Sequence, residues 1–466
     1  MRRSPRGDLY FAATLLVGLA VRLLFAPFSS GSDVVQFAGF ARTVERHGAC
    51  FYDYASEYYL EKWPYNWPYV YGPVLAYILG LLSRVAPPDY TIHPERYPHV
   101  CVSTSWVLAV KLVYIVFDTL AALVIYTTTR RHLPVALYYL NPAVIYTSSI
   151  YGMFDQIPLA LLLLGLTLLE KKPLVAGGLL ASTVLTKQTL LFPVLGVLLV
   201  VVVHYRRLLR RVLAGFLLGA LVLFAPILLA CPASLLRLPE TIRETSYMWR
   251  PGYVFPLMYS FNGLTSLLTL VHRKLGVETL WFIEHWYVYT LVLTPLLVLY
   301  TLRERDVYLN ALRYYLLFTA TYWGINYQYL TPLVGLLAVG FVREPVKRAR
   351  LLYVLLALYT ALWCFIFPVS WWFYAHIESP NRVLVEVVNS LSLNIYEDEY
   401  YAYYSLVLTL LEYTTLVVAT LTPLESTRAL AQRALRVLRR VVRAVLSALE
   451  LAGSRVRAPS ATAPLL

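Results

Sequence analysis

Apolar residues in this chain do not follow the 2- or 3.6-residue alternation of a half-buried soluble element. They run on for stretches approaching the roughly 20 residues that carry a helix across a bilayer. The first such run is Leu9 to Phe28, preceded by Arg2, Arg3 and Arg6. It exceeds the ~7–15 apolar residues of a secretory signal, so it reads as a retained span with a cytoplasmic N-terminus. Further runs follow at Trp106–Thr128, Pro134–Tyr151, Ile157–Leu169, Leu174–Thr186, Leu190–Val203 and Val212–Ala230. After a second long polar stretch come Trp281–Leu302, Leu309–Ile325, Leu330–Phe341, Leu351–Phe367 and Tyr400–Leu421.

Basic residues punctuate every second junction: Arg130-Arg131, Lys171-Lys172, Arg206-Arg207, Arg303 and Arg305, then Arg343, Lys347, Arg348 and Arg350. That is the positive-inside pattern, and it sets the orientation. The expected architecture is all-α: a polytopic transmembrane bundle of about twelve spans. A transmembrane domain covers residues 1–423, with a long first external loop over 29–105. Val70–Val85 within that loop is apolar enough to pass for a span, but counting it would put Arg130-Arg131 outside. It therefore reads as a helix lying in the interface. Tyr259–Val271 is ambiguous and fits a re-entrant segment.

Two amphipathic stretches stand apart from the spans. Asp33–His47 places Val34, Phe37, Ala38, Ala41 and Val44 on one face of a helix lying along the membrane. Residues 424–466 form a tail in which Arg428, Arg433, Arg436, Arg440 and Arg443 recur among Leu and Val. This fits a helix on the anionic cytoplasmic leaflet, or a solvated helical tail.

Composition agrees: 59% of the residues are hydrophobic and only 14% charged. A net charge of +14 would suggest nucleic acid in a soluble protein. Here the cations sit between apolar runs, and no nucleic-acid partner is expected. The four cysteines (Cys50, Cys101, Cys231 and Cys364) show no metal-ligand spacing. Cys50 and Cys101 share the first external loop, where a disulfide is one option and free thiols the other.

Candidate chemistry gathers on the external side. Asp33 opens the amphipathic helix and suits a general base; the same position also suits a simple helix cap. Trp63, Tyr65, Trp67, Tyr69 and Tyr71 line a Pro-rich turn, as sugar-stacking faces or as an interfacial belt. Arg22, Lys111, Asp118 and Lys187 fall in or at the end of spans, where charge is costly and a functional reading is the default. Lys111 and Asp118 are spaced to pair with each other. Arg22 and Lys187 lack an obvious partner, and a lipid phosphate would supply one. Asp155-Gln156, Arg243 and Arg250, and Asn326-Tyr327-Gln328 lie at external ends or loops.

The ordered series resembles the GT-C membrane glycosyltransferases, above all those using dolichyl-phosphate glucose or mannose in asparagine-linked glycan assembly. The residues that carry it are Asp33, Tyr71-Gly72-Pro73 with the helix after it, Pro88-Asp89-Tyr90 and His93. Asn141-Pro142, Gly152, Phe154 and Lys187-Gln188 continue it, from about Arg22 to Pro193. Gly72 stands where the family has a first Pro, and Phe154-Asp155-Gln156-Ile157 where the glucosyltransferases have Phe-Gln-Tyr-Asn. Their late His-Glu-Lys is absent, and Asn326-Tyr327-Gln328-Tyr329 looks more like the mannosyltransferase branches. Ser370-Trp371-Trp372-Phe373-Tyr374 lacks the Asp of the oligosaccharyltransferase motif.

The resemblance implies transfer of a hexose (glucose or mannose) from a polyprenyl or dolichyl phosphate to a lipid-linked glycan, with inversion and without cofactor or obligatory metal. Asp33 would be the base. Lys187, Arg22, Arg243 and Arg250 would hold the donor phosphate. Tyr71, Trp67, His93, Asp155, Gln156, Gln188, Asn326 and Gln328 would line the substrate site. The expected location is the plasma membrane, with the active site outside and both termini cytoplasmic. A transporter or flippase of lipid-linked sugars is the competing class.

Overall fold

The computed structural model describes residues 5–55, 68–93, 100–246, 259–367, 377–378 and 381–421. Trp63, Tyr65, Trp67, Arg250, the 370–374 segment and the basic tail lie outside the described residues.

Every apolar run identified in the sequence folds as helix. Helix α1 is Pro5–Phe25. It is followed by α2, Ser32–His47, the short α3, Tyr52–Ala55, and α4, Pro73–Leu82. A small antiparallel hairpin, β1 (Tyr90–Ile92) with β2 (Val100–Val102), leads into α5, Thr104–Thr129. Ser103 caps α5 by accepting from the Trp106 amide.

The next run is broken, for a local reason. Asn141 accepts from the Ala143 amide and Pro142 cannot continue a helix, so α6 (His132–Tyr139) ends and α7 (Pro142–Ile145) begins. Thr147, Ser148 and Ser149 then bond back to carbonyls four residues earlier. Residues Tyr146–Tyr151 form a π-helical turn, a geometry frequent at functional sites.

The remaining order is α8 (Gln156–Leu168), α9 (Pro173–Thr186), α10 (Leu191–His204), α11 (Arg206–Ala230), α12 (Arg237–Ser246), α13 (Gly263–Leu275), α14 (Leu280–Glu284), α15 (Trp286–Thr301), α16 (Val307–Thr321), α17 (Leu330–Arg343) and α18 (Lys347–Ile366). Two further helices, Arg382–Leu391 and Asp398–Leu421, close the described chain.

The protein is thus a polytopic helical membrane protein. Five described helices are long and apolar enough to cross a membrane: 7–28, 104–129, 206–230, 347–366 and 398–421. The other core helices are shorter; α8 has 13 residues and α9 has 14. At 1.5 Å per residue these fall short of the ~30 Å apolar layer. The stretch expected to lie in the interface is α4, and it packs against α2 and α9 rather than standing alone. The doubtful Tyr259–Val271 region holds α13, whose Asn262 cap donates to the Ala320 carbonyl at 3.0 Å. Gly263 lies against Leu406 while Lys274 reaches Glu399. The helix therefore runs antiparallel to Asp398–Leu421 from a deep start.

Two buried arginines are paired with carboxylates in this bundle. Arg22 meets Asp118 at 2.6 Å, with both side chains fully buried. Its Nη1 donates to the Gly18 and Tyr139 carbonyls, and its guanidinium lies 3.9 Å from the Tyr139 ring centroid. Arg313 meets Glu344 at 2.8 Å, and the Tyr353 hydroxyl donates to the same carboxylate. Two expectations fall here. Lys111 does not pair with Asp118: it donates to both oxygens of Ser29 and to the Ile150 carbonyl, stapling the chain after α1 to the π-helical turn. Arg22 does not lack a partner: Asp118 on α5 supplies the counter-charge expected of a phosphate.

The cysteine expectation is corrected as well. Cys50 bonds Cys231, with Cα atoms 5.3 Å apart, and Cys101 is a buried thiol in β2. The bridge joins the end of α2 to the end of α11, 181 residues on. No spacing rule would have found it.

Removing Asp118 leaves a guanidinium unpaired in an apolar interior, at a cost of about 3–5 kcal/mol. Asp118→Leu is expected to lower the unfolding midpoint in detergent sharply. The double variant Arg22→Leu/Asp118→Leu should recover most of the loss, and equal losses in both would contradict the pairing. Alkylation of denatured protein should modify two cysteines before reduction and four after, read by mass.

Candidate functional site

The site lies at the ends of helices opposite the basic clusters. Asp33 sits in the first turn of α2, Asp155 at the start of α8, Lys187 just past the end of α9, and Tyr329 just before α17. Alternation of the helices puts these four at one end of the bundle and Arg130, Lys171, Arg206, Arg303 and Lys347 at the other.

Lys187 is placed by a break in the helix. Its backbone is extended (φ −149°, ψ 114°), so α9 stops at Thr186 and a short 3-10 turn, Gln188–Leu190, follows. Its Nζ donates to Asp155 Oδ1 at 2.7 Å. The ammonium also lies 4.5 Å from the Tyr329 ring centroid and 5.2 Å from that of Phe154. Two aromatic faces and one carboxylate thus hold a cation that is almost wholly buried. Among the described residues nothing hydrogen-bonds the second carboxylate oxygen, Asp155 Oδ2.

Asp33 approaches from the other side. The Gly31 amide donates to the Tyr151 carbonyl at 2.8 Å, and Ser32 Oγ lies 2.8 Å from the Tyr151 hydroxyl. These bonds tie the start of α2 to the π-helical turn. Gly152 ends that turn at φ +92°, a conformation other residues resist, and a side chain there would strike Val34 and Lys111. Burial pushes the Asp33 carboxyl above the ordinary carboxylate range. A hydrogen bond from Tyr151 and the nearby charge of Lys187 pull it part of the way back. The residue as a whole is half-buried.

Tyr71 closes the site from the segment just before α4. Its ring stands edge-on to Phe154 with centroids 4.8 Å apart. Gly72 presses against the Leu185 carbonyl at the end of α9 so closely that a Cβ has no room. This is the physical reason for glycine at a position where the resembling family has proline. Gln188 Nε2 donates to the Val70 carbonyl at 2.8 Å and fixes the same contact.

The other expected residues divide. Gln156 and Gln328 are buried beside Asp155 and Tyr329. Asn326 spends its side-chain oxygen capping the turn before α17. His93 lies at the tip side of the β1–β2 hairpin, 3.2 Å from Thr91 Oγ1. Asp89 pairs with Arg42 at the surface at 3.2 Å. Arg243 is on α12. Sequence reasoning missed Tyr151 and Tyr329 as site residues. Both were visible only as members of Tyr-rich span ends, a feature that interfacial belts share.

Fold and site together define a polytopic all-α membrane protein with a desolvated acid–acid–lysine cluster at one face. No protein-family model matches the chain, and no curated protein sequence matches it. Among solved structures it is similar to ArnT from Cupriavidus metallidurans, determined bound to undecaprenyl phosphate. That alignment covers 89% of this chain and 76% of the other at 13% identity, with a TM-score of 0.42. A likeness at this level does not by itself define an activity.

Proposed function

We propose that the chain is a membrane glycosyltransferase of the GT-C type. It moves a hexose, glucose or mannose, from a polyprenyl or dolichyl phosphate to a lipid-linked glycan. The observation that carries the reading is convergence. Asp33, Asp155 and Lys187 come from three elements far apart in sequence and meet at one end of the bundle, beside Tyr71 and Tyr329. The motif resemblance names Asp33, Tyr71 and Lys187 among them.

Asp33 takes the proton of an acceptor hydroxyl. The hydroxyl oxygen attacks the anomeric carbon, and the bond from that carbon to the phosphate oxygen breaks. The electron pair leaves on the phosphate, with inversion at the sugar. A lipid phosphate is already a stable anion, so the departure needs positive charge rather than a general acid. Lys187 supplies it, shared between Asp155 and the incoming phosphate. Asp155 holds the ammonium in place until then. Arg243 and Arg250, in the second external loop, are proposed to add to the phosphate contact. Arg22 is withdrawn from that role. The basic clusters at the opposite end and the Cys50–Cys231 bridge support an extracytoplasmic site, in keeping with the oxidising side on which disulfides persist. No cofactor or metal is assigned a step.

Asp33→Asn is expected to keep the fold and to remove the ~10²–10⁴-fold contribution of the base. The assay is transfer of labelled sugar between two lipids by pure protein in detergent. A transporter of lipid-linked sugars would give no product there, since no sealed compartment exists. The base must be ionised, so transfer should fall as pH drops through the Asp33 titration. That acid limb should lie above the ordinary carboxylate range, because burial raises the group. Lys187→Ala should weaken donor use more than acceptor use; equal effects on both would remove Lys187 from the phosphate.

A further inference from the structure

Beneath the Lys187–Asp155 pair the helices α8 and α17 meet. A Cβ at Gly335 on α17 would touch the Leu159 side chain on α8 at 2.6 Å, which fixes how the two faces oppose each other. One turn further out on those same faces stand Gln156 and Thr331. Both are fully buried. Gln328, also buried, lies three residues before Thr331, in the turn that carries the Tyr329 ring to Lys187. Among the described residues, neither amide atom of Gln156 has a hydrogen-bond partner. The same holds for Gln328 Oε1 and Thr331 Oγ1.

A buried polar atom with no partner costs roughly 1–3 kcal/mol. Several in one place, next to the cation proposed to take the phosphate, call for a ligand that bonds them. The groups are amides and a hydroxyl, all uncharged. Asp155, which adjoins Gln156, is paired with Lys187. Amides and hydroxyls in a desolvated wall match the hydroxyls of a neutral sugar and offer no counter-charge to an ionised one.

We propose that Gln156, Gln328 and Thr331 form the wall that reads the hydroxyl pattern of the transferred sugar, and that this sugar is uncharged. The inference rests on the glycosyl-transfer reading and deepens it: the sugar lies between Lys187, which holds its phosphate, and Asp33, which activates the incoming hydroxyl. A site built around buried amides rejects a substrate lacking the matching hydroxyl far more strongly than an apolar pocket rejects a missing methylene.

The test uses the full-length protein in detergent with polyprenyl-phosphate glucose and mannose and with a set of their single-deoxy analogues. Wild type should prefer the parent sugar over one of the deoxy donors by about 100-fold or more in kcat/KM. Gln156→Leu or Thr331→Val should shrink that preference to below about 10-fold at the same position, leaving the others unchanged. Both variants replace an unpartnered polar group by an apolar one of similar volume. Their unliganded thermal midpoints should therefore equal or exceed wild type. A lowered midpoint would show that the polar group has a structural partner and would overturn the inference. So would an unchanged preference in the variants, or a cationic or anionic sugar donor preferred to the neutral parent.

Should wild type transfer no sugar at all, the glycosyl-transfer reading fails, and displacement of a labelled donor lipid decides the wall separately. An affinity ratio of parent to deoxy donor that depends on Gln156 keeps the inference. Equal ratios in wild type and variant, or no donor binding, end it.

Discussion

Charge that has left water has to be met by opposite charge or by hydrogen-bonding oxygens, and much of this protein's interior is arranged around that cost. An isolated ion in an apolar medium is penalised by several kcal/mol even after relaxation. Arg22 and Arg313 answer it with several partners each: a carboxylate from another segment, backbone carbonyls for further N–H groups and a tyrosine face against the guanidinium. Such pairs fix which helices lie together.

The Lys187–Asp155 pair obeys the same rule with fewer partners. Lys187 has one carboxylate oxygen and two aromatic faces, and among the described residues no backbone carbonyl accepts from its ammonium. Asp155 keeps an oxygen unbonded among the described residues. Asp33 adds a second carboxyl within the influence of the same lysine. Two acids share one cation, so the cluster is under-neutralised when both are ionised. In the proposed reaction the proton transfer leaves the net charge of the site unchanged and moves it from Asp33 to the departing phosphate, where Lys187 is the fixed cation placed to meet it.

How much of this the sequence showed depends on whether the determining contact is local. The helices were legible because apolar runs and basic junctions are local properties, and α2 was legible from its amphipathic spacing. Asp33, Asp155 and Lys187 stood out because charge at a span end is conspicuous. Their meeting was not readable, since it depends on how α2, α8 and α9 pack. Arg22 shows the limit most clearly. From sequence it resembled Lys187, a lone cation in an apolar run, yet its partner lies 96 residues away on α5. Lys111 and Asp118 failed in the opposite sense. Their spacing of seven puts them on one helix face, but each found a stronger partner on a different element. Tyr151 and Tyr329 were hidden by abundance. In a chain with 39 tyrosines, no single one is marked by its type.

The remaining constraint is mechanical. Lys187 and Asp155 belong to helices of the membrane bundle, whereas Asp33 rides on α2, which lies outside the long crossings. A base held on such an element would drift unless it were fixed at several points, and a displacement of about 1 Å costs on the order of 10²-fold in rate. The structure fixes it at both ends. At the start of α2, Lys111 bridges Ser29 and Ile150, and the Gly31 amide bonds Tyr151. Just beyond its far end, the Cys50–Cys231 bond anchors the chain to α11. Along its length α4 packs against it, and Gly80 of α4 admits Val44 so closely that a Cβ would sit 2.6 Å from its methyl group. Gly72 then seats the loop before α4 on the end of α9, one short step from Lys187. The acid and the cation are thereby registered through one continuous set of contacts, and the segment between α2 and α5 forms part of the site's frame.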